Sequence, residues 1–333
     1  MSAASPSPGG VLGIGNAILD VLTHTEDAFL EQNGLAKGSM TLVDAERATE
    51  LYAKMGSTVE CSGGSAANSM AGLASLGGRA TYIGKIRDDA LGEVFRRDIR
   101  AAGVAFDTPA ASSGPPTGRC LILVTPDAQR TMQTLLGASA TLEPNDIDHD
   151  TVANASITFL EGYLWDPEMA KRAFLRAAGI AHAAGRKVAL SLSDPFCVER
   201  HREEFRDLVD RHVDVLFANE DEIVSLYEAE TFNQALAALR GRCEVAAVTR
   251  GAKGSLILSG ESLIEVDAEP VRQVVDTTGA GDLYASGFLY GLSEGRDLAT
   301  CGRIGSIAAG EIISHFGARP ETSLREVVAA KLA

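Results

Sequence analysis

Aromatic residues are scarce in this chain, 5% of 333 residues with a single Trp, while 45% of residues are hydrophobic, so the core must be mainly aliphatic. An excess of cations is also missing. The 30 Lys and Arg are outnumbered by 45 Asp and Glu, giving a formal net charge of −15 and a pI near 4.9. That balance argues against an extended nucleic-acid or anionic-membrane surface, leaves room for a local basic pocket, and favours small molecules as partners. The cysteines, Cys61, Cys120, Cys197, Cys243 and Cys301, are odd in number and lack the close spacing of a zinc site, which implies reduced thiols and a cytoplasmic location. No apolar run is long enough to span a bilayer, and there is no internal repeat or long linker. Residues 1–10 lack the basic and apolar parts of a signal peptide and read as a flexible leader. Two nucleotide motifs are absent as well: no Gly-x-x-x-x-Gly-Lys-Ser/Thr occurs, and Gly13-Ile14-Gly15-Asn16 does not complete Gly-x-Gly-x-x-Gly, so P-loop and simple Rossmann readings lose their main support.

What is present is alternation. Short aliphatic or β-branched runs at 11–14, 121–124, 157–160, 188–192, 213–217, 245–249 and 255–258 interleave with helix-period stretches such as 170–184 and 283–292. Such a pattern predicts an α/β fold of right-handed βαβ units around a mainly parallel sheet.

The richest stretch is Asp276-Thr277-Thr278-Gly279-Ala280-Gly281-Asp282, followed by the apolar helix pattern from Leu283. Gly279, Ala280 and Gly281 hinder little, so free N–H groups at the helix start can converge on an anion, and Asp282 sits where it can accept a hydroxyl proton. Phosphoryl transfer to an alcohol needs both. An Asp that only complements the helix dipole is the alternative.

This spacing resembles the C-terminal signature of the PfkB, or ribokinase-like, family of sugar and nucleoside kinases. Gly63-Gly64-Ser65-Ala66-Ala67-Asn68-Ser69, continuing through Gly72, Leu76-Gly77-Gly78 and Tyr82-Ile83-Gly84-Lys85 to Asp88-Asp89 and Gly92, resembles the N-terminal signature. Between them, Asn219-Glu220-Asp221-Glu222 is similar to the family's Asn-x-x-Glu element and Thr249-Arg250-Gly251-Ala252-Lys253-Gly254 to its nucleotide loop.

The resemblance implies a ribokinase-like three-layer α/β/α core in one kinase domain over residues 1–333, with a small β-rich lid at roughly 23–42 and 117–134. It implies ATP and Mg2+ as cosubstrate and cofactor, and it admits K+ near Asp276 and Thr278. Asp282 would be the base, with Gly279, Ala280, Gly281 and Arg130 stabilising the transferring phosphoryl group. Asn219, Glu222, Thr249, Arg250, Gly251 and Gly254 would hold the nucleotide, Glu222 reaching the metal through water. Gly251 and Gly254 also suit a plain hairpin, and Arg130 also suits a solvated surface.

Asp20 follows the apolar run that begins at Gly13, and a carboxylate can accept two hydrogen bonds from a vicinal diol. Asn16 and Asp20 in this spacing resemble the adenosine kinase branch, which implies that Asp20 holds ribose hydroxyls, completed by Gly63, Gly64 and Asn68. Ser193-Asp194-Pro195-Phe196 departs from that branch, where Ser-Ala-Pro-Phe is expected. Tyr163, Trp165 and Phe196 are candidates to stack on a base, or equally to pack the core. The expected activity is phosphorylation of a nucleoside, adenosine first. A sugar kinase, a guanosine or inosine kinase, or a non-catalytic sensor are the alternatives, and monomer and homodimer both remain open.

Overall fold

The structure, a computed structural model, describes residues 9–127 and 129–332. Most of the expected leader, residues 1–8, lies outside the described residues. Gly9 and Gly10 are bonded to the fold: the Gly9 N–H donates to the Asn154 carbonyl at 3.2 Å, and the Gly10 carbonyl accepts from Ser156 at 3.0 Å.

Among the described residues the strands are β1 (Val11–Ile14), β2 (Ile18–His24), β3 (Met40–Leu42), β4 (Val59–Gly63), β5 (Ala80–Ile83), β6 (Val104–Phe106), β7 (Gly118–Val124), β8 (Arg130–Leu135), β9 (Ile157–Glu161), β10 (Lys187–Ser191), β11 (Val215–Asn219), β12 (Val245–Thr249), β13 (Ser255–Ser259) and β14 (Ser262–Val266). Nine of them form the main sheet in the order β14-β13-β12-β11-β10-β9-β1-β5-β6. Every pair from β12 to β6 is parallel, and the β12–β13 and β13–β14 pairs are antiparallel.

The interior strands are apolar on both faces because helices cover both, as parallel sheets require. Leu216 and Ala218 pack with Ala170, Phe174, Val198, Phe205 and Ile223 of the helices Glu168–Ala183, Pro195–Arg211 and Glu220–Tyr227. Val215 and Phe217 point the other way, toward Ala66, Met70, Ala285 and Phe288 of the helices Ser65–Ser75 and Ala280–Ser293. The result is the expected three-layer α/β/α core. Phe217 meets Phe159 and Phe288 edge-on at 5.9 and 5.4 Å, which ties the sheet centre to the helix that carries Asp282.

The other five strands make a small sheet in the order β3-β8-β7-β2-β4. Its strands β2 and β4 extend beyond the segments 23–42 and 117–134, because the chain crosses into this sheet directly after β1. Period-2 alternation divides its faces. Leu19, Val21, Leu121 and Leu123 pack with Leu30, Leu51 and Met55, while Cys120, Ile122 and Val124 form a second cluster with Ile18, Leu22, Met132 and Phe316. Asp20 belongs to this second face and is paired in register with Cys61 and Cys120. It therefore lies within β2 rather than at the end of a strand starting at Gly13. The Gly15-Asn16-Ala17 break separates the two strands, and Asn16 turns its backbone N–H to Glu161 Oε1 at 3.3 Å.

Close helix packing fixes where Asp282 stands. Helix Ala280–Ser293 crosses Leu298–Ile312 at Gly287, where an added Cβ would meet Gly305 Cα and N and the Ile304 carbonyl carbon, each at 2.7 Å. These are backbone atoms that cannot swing aside. Gly287→Ala is expected to push the helices apart and cost about 1–3 kcal/mol, the range for overpacking a well-filled core. A chemical-denaturation midpoint equal to wild type would show that the crossing is looser than this geometry.

Candidate active site

The carboxyl ends of the parallel strands open onto a cleft of about 760 Å³, the usual place for a ligand in an open α/β sheet. Asn16, Glu161, Ser193, Asp194, Asn219 and Thr249 reach it from the ends of β1, β9, β10, β11 and β12. The small sheet faces them with Ile18, Asp20, Met40, Cys120 and Met132, and the Thr277–Asp282 segment closes the floor.

Asp282 lies in the first turn of helix Ala280–Ser293 and is clamped from helix Ser65–Ser75. Ser65 Oγ donates to Asp282 Oδ1 at 2.6 Å and Asn68 Nδ2 to Oδ2 at 3.0 Å. Burial pushes the Asp282 carboxyl above its usual value, while Ser65, Asn68 and the Arg319 charge pull it back. Two fixed donors and one half-buried, upward-shifted carboxylate are the parts a positioned proton acceptor needs.

Ahead of it, Gly279 caps the helix with φ +77°, a conformation suited to glycine. The Ala280 N–H turns back to the Thr277 carbonyl at 3.2 Å, and the amides that follow in the first turn face the helix's open end, where an anion is favoured. Gly281 has open space on its side-chain side. Arg130, at the start of β8, lies beside this loop: its guanidinium pairs with Asp276 and donates to Thr278 Oγ1 at 2.8 Å. Asp276 also accepts from the Thr278 and Gly317 N–H groups, at 3.0 and 2.9 Å. With Arg130 in place, the Asp276 and Thr278 oxygens are occupied by its guanidinium and by backbone N–H groups.

Asp20 looks into the same cleft. A Cβ on Gly63 would lie 2.4 Å from Asp20 Cγ, so only glycine leaves the carboxylate its place. Gly64, with φ +98°, caps helix Ser65–Ser75 against the Asn16 carbonyl. Asn16 Nδ2 donates to Glu161 Oε1 at 2.8 Å and its Oδ1 accepts from Ser139 at 2.9 Å, while Ala66 N–H reaches Glu161 Oε2 at 2.8 Å. Asn68 keeps a buried Oδ1 with no partner. Burial pushes Asp20 up to about 7, opposed by Arg319 and Arg130, and pushes Glu161 to about 7 against its own hydrogen bonds.

On the β11 side, Asn219 and Glu222 form a reciprocal capping box, with Glu222 accepting from Asn219 N at 2.9 Å and Nδ2 at 2.7 Å. Glu222 nevertheless lines the cleft, and burial pushes it up to about 7. A lone carboxylate with hydrogen-bonded oxygens fits contact with a hydrated Mg2+ on phosphates better than a protein cage. No cluster of three or more His, Cys, Asp or Glu that could hold a metal occurs among the described residues. Thr249 lines the cleft. Arg250 instead pairs with Glu220 at 3.0 Å, and Gly251 and Gly254, at φ +55° and +81°, form the turn of the β12–β13 hairpin.

Of the aromatic candidates, Trp165 is core: it packs on Phe174 and Phe205 and donates Nε1 to Glu204 at 2.9 Å. Tyr163 and Phe196 line the cleft, with the Arg200 guanidinium 4.4 Å from the Phe196 ring centre. Asp194, the departure from Ser-Ala-Pro-Phe, caps helix Pro195–Arg211 by accepting from Cys197 N at 2.5 Å. Sequence reasoning missed Ser65, Glu161 and Arg319. Ser65 stood inside a quoted motif without a role, and Glu161, a carboxylate closing an apolar run, was open to the strand-end argument applied to Asn219. No local signal marks Arg319.

A family model described as pfkB family carbohydrate kinase matches residues 34–324. The crystal structure of adenosine kinase from Sinorhizobium meliloti is 51% identical, with a TM-score of 0.91, 98% of this chain and 100% of that one covered. A probable sugar kinase from Rhizobium etli is 50% identical, with a TM-score of 0.91 and 98% of each chain covered. An uncharacterized sugar kinase of Archaeoglobus fulgidus is 28% identical over 254 residues, 74% of this chain and 96% of its own. Among the described residues no helix is long and apolar enough to cross a membrane.

The raised carboxylates give a signed stability prediction. Asp20 titrates near 3.8 when unfolded and about 7 when folded, so the folded state holds the extra proton between those values. Its contribution to stability is full below the lower value and lost as pH rises through the upper one. The melting temperature of the ligand-free protein should therefore fall less over that window in Asp20→Asn than in wild type. Equal slopes would mean that Asp20 is ionised throughout.

Proposed function

As this chain belongs to the pfkB family of carbohydrate kinases, we propose that it transfers the γ-phosphoryl group of ATP to the 5′-hydroxyl of a nucleoside, adenosine first among them. The observation that carries the reading is the Asp282 carboxylate held by Ser65 and Asn68 at a helix N-terminus, with Asp20 across the same cleft.

Asp282 takes the hydroxyl proton as the new O–P bond forms and the bond to the ADP oxygen breaks. The open amides of the Gly279–Asp282 turn face the transferring group, and Arg130 can exchange Asp276 for phosphate oxygens, which a guanidinium binds in a fork. Glu222 and Asn219 would meet the hydrated Mg2+, which neutralises phosphate charge. Asp20, with Gly63 leaving it room and Asn68 nearby, would accept the two ribose hydroxyls. The small sheet would act as a lid that keeps water from the phosphoryl group.

A nucleoside is favoured over a free sugar because the small sheet presents an apolar shelf beside Asp20. Ile18, Met40, Leu42, Cys120, Ile122 and Met132 line it, and Met40 and Leu42 are 43% and 51% exposed. A planar base would cover these side chains, whereas a free sugar would leave them bare. The sugar kinase reading rests on the near-equal likeness to a probable sugar kinase.

A coupled MgATP assay across adenosine, guanosine, inosine, cytidine, ribose and fructose tests the reading. Adenosine should dominate, and Asp282→Asn should lower kcat by about 10²–10⁴-fold with little change in nucleotide binding. Preference for ribose or fructose would overturn the acceptor, and near-normal turnover in Asp282→Asn would overturn the base. Asp20→Ala should raise KM for the nucleoside, and an unchanged KM would remove its ribose role.

A further inference from the structure

Four consecutive residues near the end of the chain each touch a different part of the cleft wall. Phe316 lies under Arg130, with 4.6 Å from the guanidinium carbon to the ring centre. Gly317 donates its N–H to Asp276 at 2.9 Å, and Ala318 packs against Gly279, where an added Cβ would be 3.0 Å from Ala318 Cβ. Arg319 then reaches behind the wall to the turn that starts helix Ser65–Ser75. Its Nε and Nη2 donate to the Ser62 carbonyl at 3.1 and 2.7 Å, Nη2 to Ser62 Oγ at 2.8 Å, and Nη1 to the Ala67 carbonyl at 2.8 Å.

All of these acceptors are neutral. The nearest hydrogen-bonded carboxylate is one residue removed: Asp98 accepts from Ser62 N and Oγ at 2.7 and 2.6 Å. A half-buried guanidinium bonded to carbonyl and hydroxyl oxygens keeps a charge that no direct ion pair cancels, and such a charge acts over several ångströms. Arg319 is absent from the cleft surface, while Asp20 and Asp282 are both within its electrostatic reach.

We propose that Arg319 is a positioning residue: it fixes the Ser62–Ala67 turn from behind, so that Ser65 and Asn68 meet Asp282, and it sets a guanidinium charge behind that carboxylate. This rests on the reading of Asp282 as the base. The groups facing Asp282 are Ser65 and Asn68 from helix Ser65–Ser75, Asp20 from β2, Glu161 and Tyr163 from the end of β9, and Arg319. Asp20 and Glu161 oppose ionisation of Asp282, Tyr163 is held neutral by burial, and Arg319 is the cation in the set.

The test is the pH profile of kcat/KM for the phosphorylated acceptor in wild type, Arg319→Met and Arg319→Lys, with Asp282→Asn as the reference for loss of the base. Removing the charge should move the acid limb up by about one pH unit, so that below the limb Arg319→Met loses about tenfold in kcat/KM. KM for ATP should stay near wild type. Arg319→Lys keeps the charge without the fork, and its limb should return toward wild type while its plateau stays lower. If Arg319→Met does not fold, Arg319→Gln serves as the neutral variant, retaining an amide donor for the Ser62 carbonyl. A neutral variant whose plateau falls with the acid limb unmoved overturns the electrostatic role, and one with a wild-type profile overturns the proposal altogether. Wild type without MgATP-dependent turnover, or Asp282→Asn with near-normal turnover, overturns the underlying reading, a result distinguishable from either.

Discussion

The hydrogen bonds from Ser65 and Asn68 to Asp282 join two helices that are 217 and 214 residues apart in the chain at these contacts. Everything else in the cleft is arranged to let them form. The Ser65–Ser75 and Ala280–Ser293 helices lie on the same face of the sheet, and the second is held close to its neighbour by the Gly287–Gly305 contact. A carboxylate placed on a loose helix would rotate out of reach, whereas one whose two oxygens are each held by a fixed donor points one way.

The same arrangement concentrates unfavourable charge. Asp20, Glu161, Glu222 and Asp282 all have raised titration ranges, chiefly because burial removes water from their ionised forms. Asp282 also opposes the ionisation of Asp20 and Glu161, and two arginines from distant parts of the chain offset this at Asp20. Arg130 balances Asp276 at the small sheet, and Arg319 supports the turn on the opposite side. A site that binds phosphate needs such cations, yet a pair already closed on itself must open before it can do so.

Much of this was legible in the sequence. The runs from 157, 188, 213 and 245 became β9, β10, β11 and β12 because uninterrupted apolar segments between helices belong in a parallel sheet covered on both sides. The small sheet was harder to read. In β2, Asp20 and Thr23 interrupt the apolar pattern, and β3 is three residues long, too short for periodicity to register. Asp20 was recognised as chemistry but placed at a strand end, because the break at Gly15-Asn16-Ala17 becomes a change of sheet only when Glu161 draws Asn16 away.

By itself, the sequence determined the α/β class and the residues that can do chemistry: glycines for close backbone approach, Asp282 at a helix start, Asn219 and Glu222 beyond a buried strand. Those properties are local, set by side-chain size, backbone freedom and hydrophobic period. Only the tertiary structure decided that Trp165 is core while Tyr163 and Phe196 face the cleft, that Arg250 turns to Glu220, and that Arg319 bonds the turn before the Ser65–Ser75 helix. Each of these depends on contacts between segments far apart in the chain, and the pull of one buried charge on another depends on distances that no sequence spacing encodes.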